Sequence, residues 1–459
     1  MLGLTVVNRN LRSAVAATLG IALGAVAAQA QEVKIGGSFG LTGGLAPYSP
    51  SLVDAARLAV QEVNQGGGIL DGQQLELSIL DDKTNPQAAV DAAQKLVSVE
   101  NIAAMLGPLG SSQVLAAANS VTIPNGVPHV APTATSPALT TLDDKDFVFR
   151  TVASDAYVGK VLADVTLKHD IKSAALMYLN NDYGVGLAET FRQRFAEQGG
   201  TIVADAAFEP AKASYRGELA SLAGEAEALV LIAYPADGGT TILRQSLENG
   251  FFERFVLTDG MKEQSVIDEI GGENLEGAIG VAPEAPPATD ALKRFNAAYE
   301  AFSEHATDSL FVRETYDSTM LIALAIQQAG STDRTAVRDA LRAVAGPPGE
   351  TVLPGEWEKA RGLIADGKEI DYTGAAGPHD FDAAGDVDGT VGVFEVKGGD
   401  FVTKVFEGPY RNAKDWYGEM QDLVRARGKA PKAVYFFYTT CPKCAKAYGQ
   451  NQVVGVAQM

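Results

Sequence analysis

Cysteine, histidine and basic residues are all scarce in this chain, and each scarcity limits what the protein can be. The two cysteines both lie near the C-terminus, so the main body has no disulfide framework. No two of the four histidines have metal-ligand spacing, and we expect no cofactor. The chain has 57 acidic residues and only 37 Lys and Arg residues, which gives a formal net charge of −20. That charge repels phosphate backbones, so no nucleic-acid partner is expected.

Long apolar runs are also missing, apart from one near the start. Ser13 to Ala27 is apolar or small throughout, but it is shorter than the roughly twenty residues that span a bilayer. Arg9 and Arg12 precede it, and Ala28-Gln29-Ala30 follows as a small-x-small cleavage site. This pattern predicts a signal peptide over residues 1–30 and an exported, periplasmic protein. The alternative is a buried N-terminal helix or an uncleaved anchor.

What the chain does contain is a regular alternation of β-rich and helical runs. With 459 residues, 46% of them apolar, it has the composition of a globular protein of two or more domains. Such an alternation predicts an α/β fold with two doubly wound parallel-sheet lobes joined by a hinge. The predicted strands are 32–39, 75–80, 103–108 and 128–134 in one set, and 148–152, 173–179, 228–234, 254–259 and 276–283 in the other.

The pattern of the later part predicts that the chain returns to the first lobe and then to the second. Two or three helices follow residue 288, and a Gly-rich hairpin is expected over about 371–404, with DFDAAGDVDG as its turn. We therefore predict four parts: lobe one from 31–151 plus about 283–370, lobe two from 152–282 plus about 371–408, and a C-terminal extension, 409–459. Ligands of open parallel sheets bind beyond the carboxyl ends of the strands, which would put a cleft between the lobes.

Two strand-end loops of the first lobe are rich in small polar groups. Ser111 opens a helix after GPLG, where free N–H groups and hydroxyls suit a carboxylate. Capping of that helix is an equally good explanation. The second loop, 132–137, has three hydroxyls between two prolines, and it is either a ligand-binding edge or an ordinary turn.

The second lobe and the tyrosines supply further candidates. Asp259 follows a predicted strand, where it could meet a ligand ammonium or cap the next helix. Tyr48, Tyr183 and Tyr234 fall at the ends of predicted elements, although single tyrosines usually serve packing.

Signals for an enzyme are few, and we expect binding without turnover. Residues 36–40 match G-x-S-x-G around Ser38, but LTGGLAPYSP intervenes where a nucleophile elbow needs an immediate helix. A periplasmic hydrolase built on Ser38 stays as an alternative. Asp380-Phe381-Asp382 suggests a calcium loop, yet Ala384 occupies a ligand position, so that hypothesis is rejected.

Taken together, six strings resemble the periplasmic leucine/isoleucine/valine-binding protein family of ABC importers, which has the type I solute-binding fold. The resemblance covers roughly 32–408, with the strings in the family's order. They are VKIGGSFGLTGGLAPY, AVQEVNQGGGILDGQQLELSILDDKTNPQAAVDAAQKLV, MLGPLGSSQVLAAANSV, PHVAPTATSPALT, FRTVASDAYVG and YLNNDYGVGLAETF.

The resemblance implies roles for seven residues. Ser111, Ala134 and Thr135 correspond to the residues that bind the ligand α-carboxylate. Asp259 corresponds to the acid that grips the α-ammonium, although the family often has Glu there. Tyr183 lines the cleft, and Tyr48 and Tyr234 match aromatic wall positions. Thr133 stands where the family usually has Gly, which could narrow the pocket.

The implied function is capture of a small aliphatic amino acid, with branched-chain amino acids first, by hinge closure. The closed protein, expected to be a monomer, would then dock on an ABC permease of the inner membrane. An aromatic or other carboxylic acid, or a short amide, is the alternative ligand.

The C-terminal extension departs from the family pattern. It is predicted to contain a helix over 415–428 and two strands that flank Cys441-Pro-Lys-Cys444. A C-x-x-C can be a local disulfide, a redox pair or half of a zinc site shared between two chains. The sequence leaves these alternatives open.

Overall fold

The structure is a computed structural model that describes residues 32–286, 288–397, 401–407, 412–426, 429–431, 433–438 and 452–458. The predicted signal peptide and the two cysteines lie outside these residues. Within the described part of the chain, every helix is too short or too polar to cross a membrane.

The first sheet has five parallel strands in the order β2-β1-β3-β4-β5, so the prediction of a parallel α/β lobe is confirmed. The strands are β1 (Val33–Phe39), β2 (Leu75–Asp81), β3 (Met105–Leu106), β4 (His129–Ala131) and β5 (Val148–Arg150). The helices between them are α1 (Ser49–Gln65), α2 (Pro86–Ser98) and α3 (Ser111–Ala117).

Local sequence signals explain where these helices begin. The Asn85 side chain accepts hydrogen bonds from two N–H groups of the first turn of α2, whose first residue is Pro86. Between β3 and α3, Gly107 has φ +70°, and a Cβ there would lie 2.3 Å from the carbonyl oxygen of Ser38. Only glycine allows β3 to approach β1 this closely while turning toward α3.

The second sheet has five parallel strands and one antiparallel strand that comes from later in the chain. The parallel strands are β6 (Ser173–Leu179), β7 (Thr201–Phe208), β8 (Ala228–Ile232), β9 (Phe255–Leu257) and β10 (Ile279–Pro283). The helices are α4 (Asp155–Lys168), α5 (Asp182–Glu197), α6 (Arg216–Leu222), α7 (Thr240–Asn249) and α8 (Gln264–Ile270).

Strand β7 is the one strand of this sheet that the sequence analysis missed. It lies at the sheet edge, pairs with β6, and alternates exposed and half-buried residues until the buried Phe208. An edge strand needs no continuous apolar run, so the signal that revealed β6 and β8 is weak here.

The chain then returns to the first lobe. Here α10 (Val312–Ala329) packs against α1 and against α11 (Arg334–Ala345). The remaining elements of this segment are α9 (Asp290–Phe302), α12 (Trp357–Ala365) and the parallel pair β11 (Glu350–Val352) and β12 (Ile370–Tyr372).

The hairpin expected over 371–404 is wrong. Strand β13 (Val391–Glu395) pairs antiparallel with β10, whereas β14 (Phe401–Glu407) pairs with a strand of the tail. The DFDAAGDVDG segment instead crosses between the lobes, because its Asp386 pairs with the buried Arg150 at the end of β5. The ion pair with the buried guanidinium and the pairing of β13 with the open edge of the second sheet therefore decide the path of this segment, rather than the local turn residues.

The tail forms a small sheet with β14, which the sequence analysis had placed in the second lobe. The antiparallel strands run in the order β14-β16-β15, with β15 (Ala433–Tyr438) and β16 (Gln452–Gln458). Helix α13 (Ala413–Arg425) packs on this sheet through Trp416, Met420 and Val424.

Glu314 in the first turn of α10 gives the protein a pH-dependent stability. Its side chain is 6% exposed, and burial raises its pKa from 4.5 to about 7. Between those pH values the native state keeps a proton that the unfolded chain has released, so the free energy of unfolding falls as pH rises. The Glu314→Gln variant should therefore be more stable than the parent by up to roughly 3 kcal/mol at pH 8 and little changed at pH 4.5.

Urea denaturation at the two pH values measures this difference. Glu358→Gln is the matched control, because Glu358 is an exposed residue in the first turn of α12. An equal effect of the two substitutions at pH 8 would contradict the role of burial at Glu314.

Candidate functional site

A cavity lies where the carboxyl ends of the two sheets face each other. We call it the inter-lobe cavity. The first-lobe segments contribute Leu45, Tyr48, Leu52, Leu109, Thr133, Thr135, Leu310 and Phe311, and the second lobe contributes Tyr183, Tyr234, Asp259 and Gly260. A mostly apolar and aromatic lining with a few polar groups is typical of a site for a small ligand.

Five of the seven residues that the sequence analysis selected line this cavity: Tyr48, Thr135, Tyr183, Tyr234 and Asp259. Ser111 is buried next to the loop after β4, where its hydroxyl accepts a hydrogen bond from the N–H of Ser136 at 3.2 Å. The Ala134 methyl is packed in a core cluster with Val114 and Leu139. Any contact of Ala134 with a ligand would therefore come from its backbone.

Asp259 follows β9 and is held by neighbours of its own lobe. The hydroxyl of Tyr183 donates to its Oδ1 at 2.7 Å and lies 2.8 Å from Oγ1 of Thr258. The ring of Tyr183 stacks on Tyr234, with centroids 5.2 Å apart and planes 9° apart. These contacts hold a carboxylate and an aromatic wall in one place on the second lobe.

The ionisable groups in the described lining of this cavity include an acid but no base. Burial raises the pKa of Asp259, and the Tyr183 hydrogen bond only partly opposes that effect. Among the described residues that line the cavity, none is Lys, Arg or His. A 5% exposed carboxylate without a cationic side chain beside it calls for a cation from the ligand.

Five residues of the cavity lining, all from first-lobe segments, are apolar. Leu45, Leu52 and Leu109 come from first-lobe segments near α1 and α3, and Leu310 and Phe311 come from the start of α10. The sequence analysis did not select these residues, because leucines near helix starts have no signal that separates pocket walls from core. They give the site an aliphatic or aromatic surface for the uncharged part of a ligand.

The lobes touch each other around the cavity. The Tyr48 hydroxyl, at the start of α1, donates to the carbonyl oxygen of Gly260 at 2.7 Å. Nearby, the Ser112 hydroxyl donates to Oδ2 of Asp182 at 2.5 Å and accepts from its N–H at 2.9 Å. Both contacts join residues of different lobes, so the structure has the lobes closed on the cavity.

Tyr48→Phe is expected to weaken ligand binding about two- to tenfold. The substitution removes a hydrogen bond that forms only when the lobes are closed, and the net contribution of such a bond is about 0.5–1.5 kcal/mol. Calorimetric titration measures the change in Kd, with Tyr157→Phe as the control, because Tyr157 is 51% exposed on α4. Unchanged affinity in Tyr48→Phe would contradict a role for this bond in closure.

The alternative nucleophile Ser38 is placed poorly for catalysis. It lies in β1, is fully buried, and its hydroxyl donates to Oδ2 of Asp82 at 3.0 Å rather than to a histidine. Burial raises the pKa of Asp82 to about 6. No cluster of three or more His, Cys, Asp or Glu side chains that could hold a metal occurs in the described ranges.

A family model described as "Periplasmic binding protein" matches residues 32–400, about four fifths of the chain. The chain belongs to this periplasmic binding protein family. A second model, described as "Bacterial hydrolase", matches 373–459, less than a fifth of the chain. It overlaps the end of the first match and covers the tail of the periplasmic binding protein.

Relatives of this periplasmic binding protein cover most of its length. Leu/Ile/Val-binding protein homolog 3 of Brucella melitensis is 32% identical over 75% of this chain and 92% of its own. The Leucine-, isoleucine-, valine-, threonine-, and alanine-binding protein of Pseudomonas aeruginosa is 29% identical over 68% and 83%, respectively. The substrate binding protein LivJ from Streptococcus pneumoniae in complex with isoleucine has a TM-score of 0.67 at 25% identity, covering 80% and 97%.

Proposed function

We propose that this protein captures an aliphatic α-amino acid, with leucine, isoleucine and valine first, and delivers it to an ABC importer. The observation that carries the proposal is that a buried carboxylate, Asp259, and five apolar side chains, four of Leu and one of Phe, line the same cavity, among whose described lining residues none is Lys, Arg or His. A zwitterion with a hydrocarbon side chain matches both parts. The names of the relatives from Brucella and Pseudomonas support this ligand class.

In the proposed mechanism the ligand first meets one lobe, and closure brings the other onto it. The ammonium pairs with Asp259, and the hydrocarbon chain lies among the leucines and Phe311. The hydroxyl of Ser111 and backbone N–H groups of the loop after β4 take the carboxylate. Closure excludes water and so strengthens each of these contacts. The closed shape is what the permease recognises, and no bond of the ligand is broken.

The proposed location is the periplasm, after removal of residues 1–30. Hinge segments would lie where the chain passes between the sheets: near 151–155, near 284–286 and near 386–391. We also infer that the protein has no enzymatic activity, because the family model that covers most of the chain is that of a binding protein.

A thermal melting screen tests the proposal. L-Leucine, L-isoleucine and L-valine at about a hundred times Kd should each add about 2.7 kcal/mol of stability. Benzoate, 4-methylpentanoate and isobutyramide represent the alternative acids and amides and should shift the melt less. If only compounds without an amine shift the melting temperature, the proposed ligand class is wrong. Recovery of altered ligand after incubation would contradict binding without turnover.

A further inference from the structure

A second pocket lies next to the inter-lobe cavity, and the proposed mechanism does not use it. Its lining comes from within residues 257–267 and 394–396 of the second lobe and from within residues 306–310 of the first. We call this pocket the side chamber. Its volume of about 470 Å³ falls in the range of pockets that hold small ligands. The side chamber is therefore, like the cavity, a space between the lobes.

Most of the lining of the side chamber is apolar. Leu257, Met261 and Val266 are buried residues of this lining, and each comes from the second lobe. The lining also includes charged residues, and two of these, Lys262 and Asp308, are exposed to solvent. Buried apolar residues with charged groups at the solvent-exposed part suit a hydrocarbon chain. The occupant that fits this chemistry is the hydrocarbon side chain of a ligand.

Leu310 is the residue at which the two spaces meet, because it lines both the inter-lobe cavity and the side chamber. On the second lobe, the change from one space to the other occurs between consecutive residues: Gly260 lines the cavity and Met261 lines the side chamber. The Leu310 side chain is only 8% exposed, so it is packed in place. Leu310 therefore lies between a ligand in the cavity and the side chamber.

The backbone next to Leu310 is strained and firmly held. Phe311, which lines the cavity, has φ +64°, a conformation that residues other than glycine rarely adopt. Its carbonyl oxygen accepts hydrogen bonds from the N–H of Thr315 at 3.0 Å and from the Thr315 hydroxyl at 2.8 Å. Strained residues persist where the surrounding structure fixes them, and they cluster at functional sites. The first turn of α10 thus fixes the backbone that presents Leu310.

We propose that Leu310 sets the upper limit on the length of the ligand side chain, because it closes the cavity off from the side chamber. A side chain as long as that of leucine packs against Leu310, whereas a longer unbranched chain would have to pass it. Once the isobutyl group of Leu310 is removed, such a chain can enter the side chamber and cover its apolar residues. This inference rests on the proposed function and deepens it, because it names the amino acids that the site rejects.

The Leu310→Ala variant tests the proposal with L-2-aminooctanoate, an α-amino acid whose side chain is an unbranched hexyl group. Calorimetric titration at pH 7.5 would compare its Kd with that of L-leucine, and the parent protein should prefer leucine. In Leu310→Ala the Kd for L-2-aminooctanoate should fall at least about tenfold, since each newly buried methylene lowers Kd about fourfold. The Kd for leucine should rise, because leucine loses a packing partner.

Further variants locate the space that the longer chain occupies. Ala306 is an exposed residue of the side-chamber lining, so Ala306→Trp combined with Leu310→Ala should fill the side chamber and abolish the gain. Leu52→Ala enlarges the cavity at a buried position of α1 and should weaken leucine binding without improving that of L-2-aminooctanoate. Leu310→Val removes less of the side chain and should give a smaller gain than Leu310→Ala. Melting of each ligand-free variant reports folding.

The outcomes are distinguishable. An unchanged Kd for L-2-aminooctanoate in Leu310→Ala and Leu310→Val overturns the role of Leu310. A gain of the same size in Leu52→Ala, or one that survives Ala306→Trp, also overturns it, because the chain would then lie elsewhere. So does a parent protein that binds L-2-aminooctanoate as tightly as leucine. In all these cases the proposed function stands, because the parent still binds leucine. A parent protein that binds no amino acid overturns the proposed function and this inference with it.

Discussion

Asp259→Asn is expected to raise the Kd for an amino acid ligand at least about 30-fold. Removing one partner of a buried, hydrogen-bonded charge pair costs about 2–5 kcal/mol, because the other charge is left without a counterion. Here that other charge is the ligand ammonium. The substitution keeps an oxygen that can accept from the Tyr183 hydroxyl, so the local hydrogen bond at 2.7 Å can be retained.

Melting of the free variant provides the internal check. Because Asp259 is buried and its pKa is raised by that burial, removing its charge should leave the ligand-free protein as stable as the parent or more stable. Asp259→Glu keeps the charge and should retain much of the affinity. Asp268→Asn, at an exposed site on α8, is the control. Tight amino acid binding by Asp259→Asn would show that another group receives the ammonium.

Arg150→Met is expected to lower the free energy of unfolding by about 3–5 kcal/mol. The guanidinium is 1% exposed and makes two hydrogen bonds to Asp386, and the variant leaves that carboxylate largely buried without a counterion. The methionine side chain keeps most of the volume, so the loss reports charge rather than packing. Urea denaturation at pH 7 measures it.

The surface ion pair of Arg192 and Asp205 supplies a control of the same chemistry. Both side chains are about 40% exposed, and Arg192→Met should cost no more than about 1 kcal/mol. The Arg150→Met variant should also bind ligand less tightly, because Arg150 holds the carbonyls of Thr135 and Ser136 beside the cavity. An equal loss of unfolding free energy in Arg150→Met and Arg192→Met would contradict the prediction. It would show that the crossing segment does not depend on the ion pair of Arg150 with Asp386.

The elements that could be predicted are those with strong local signals. Strand β6 has the predicted bounds, 173–179, because it is a continuous apolar run that the sheet buries. Helix α2 begins at Pro86, where the Asn-Pro pair is itself a local signal, because Asn85 caps the helix and Pro suits its first position. Strand β7 was missed, because an edge strand lacks the continuous apolar run of a buried strand. The predicted pairing of β13 was wrong, because its partner β10 lies far away in the chain and no local pattern reveals it.

The candidate site shows the same division. Asp259, Thr135 and three tyrosines could be selected because they stand at the ends of strands and helices, which a parallel α/β fold gathers at one edge. Asp155, which accepts a hydrogen bond from the hydroxyl of the cavity-lining Thr135, could not be selected, because an acidic residue after Ser154 is fully explained as the first turn of a capped helix. Its buried Oδ1 without a partner becomes visible only with the coordinates.

The sequence by itself determined the α/β class, the two parallel sheets and the edge where polar side chains gather, because hydrophobic periodicity and helix caps act over a few residues. Only the tertiary structure decided which groups meet across the lobes: Tyr48 with Gly260, Thr135 with Asp155, and Arg150 with Asp386. The physical reason is that burial and charge compensation depend on contacts between residues up to 236 positions apart in the sequence. A pattern that extends over a few residues contains no information about such contacts.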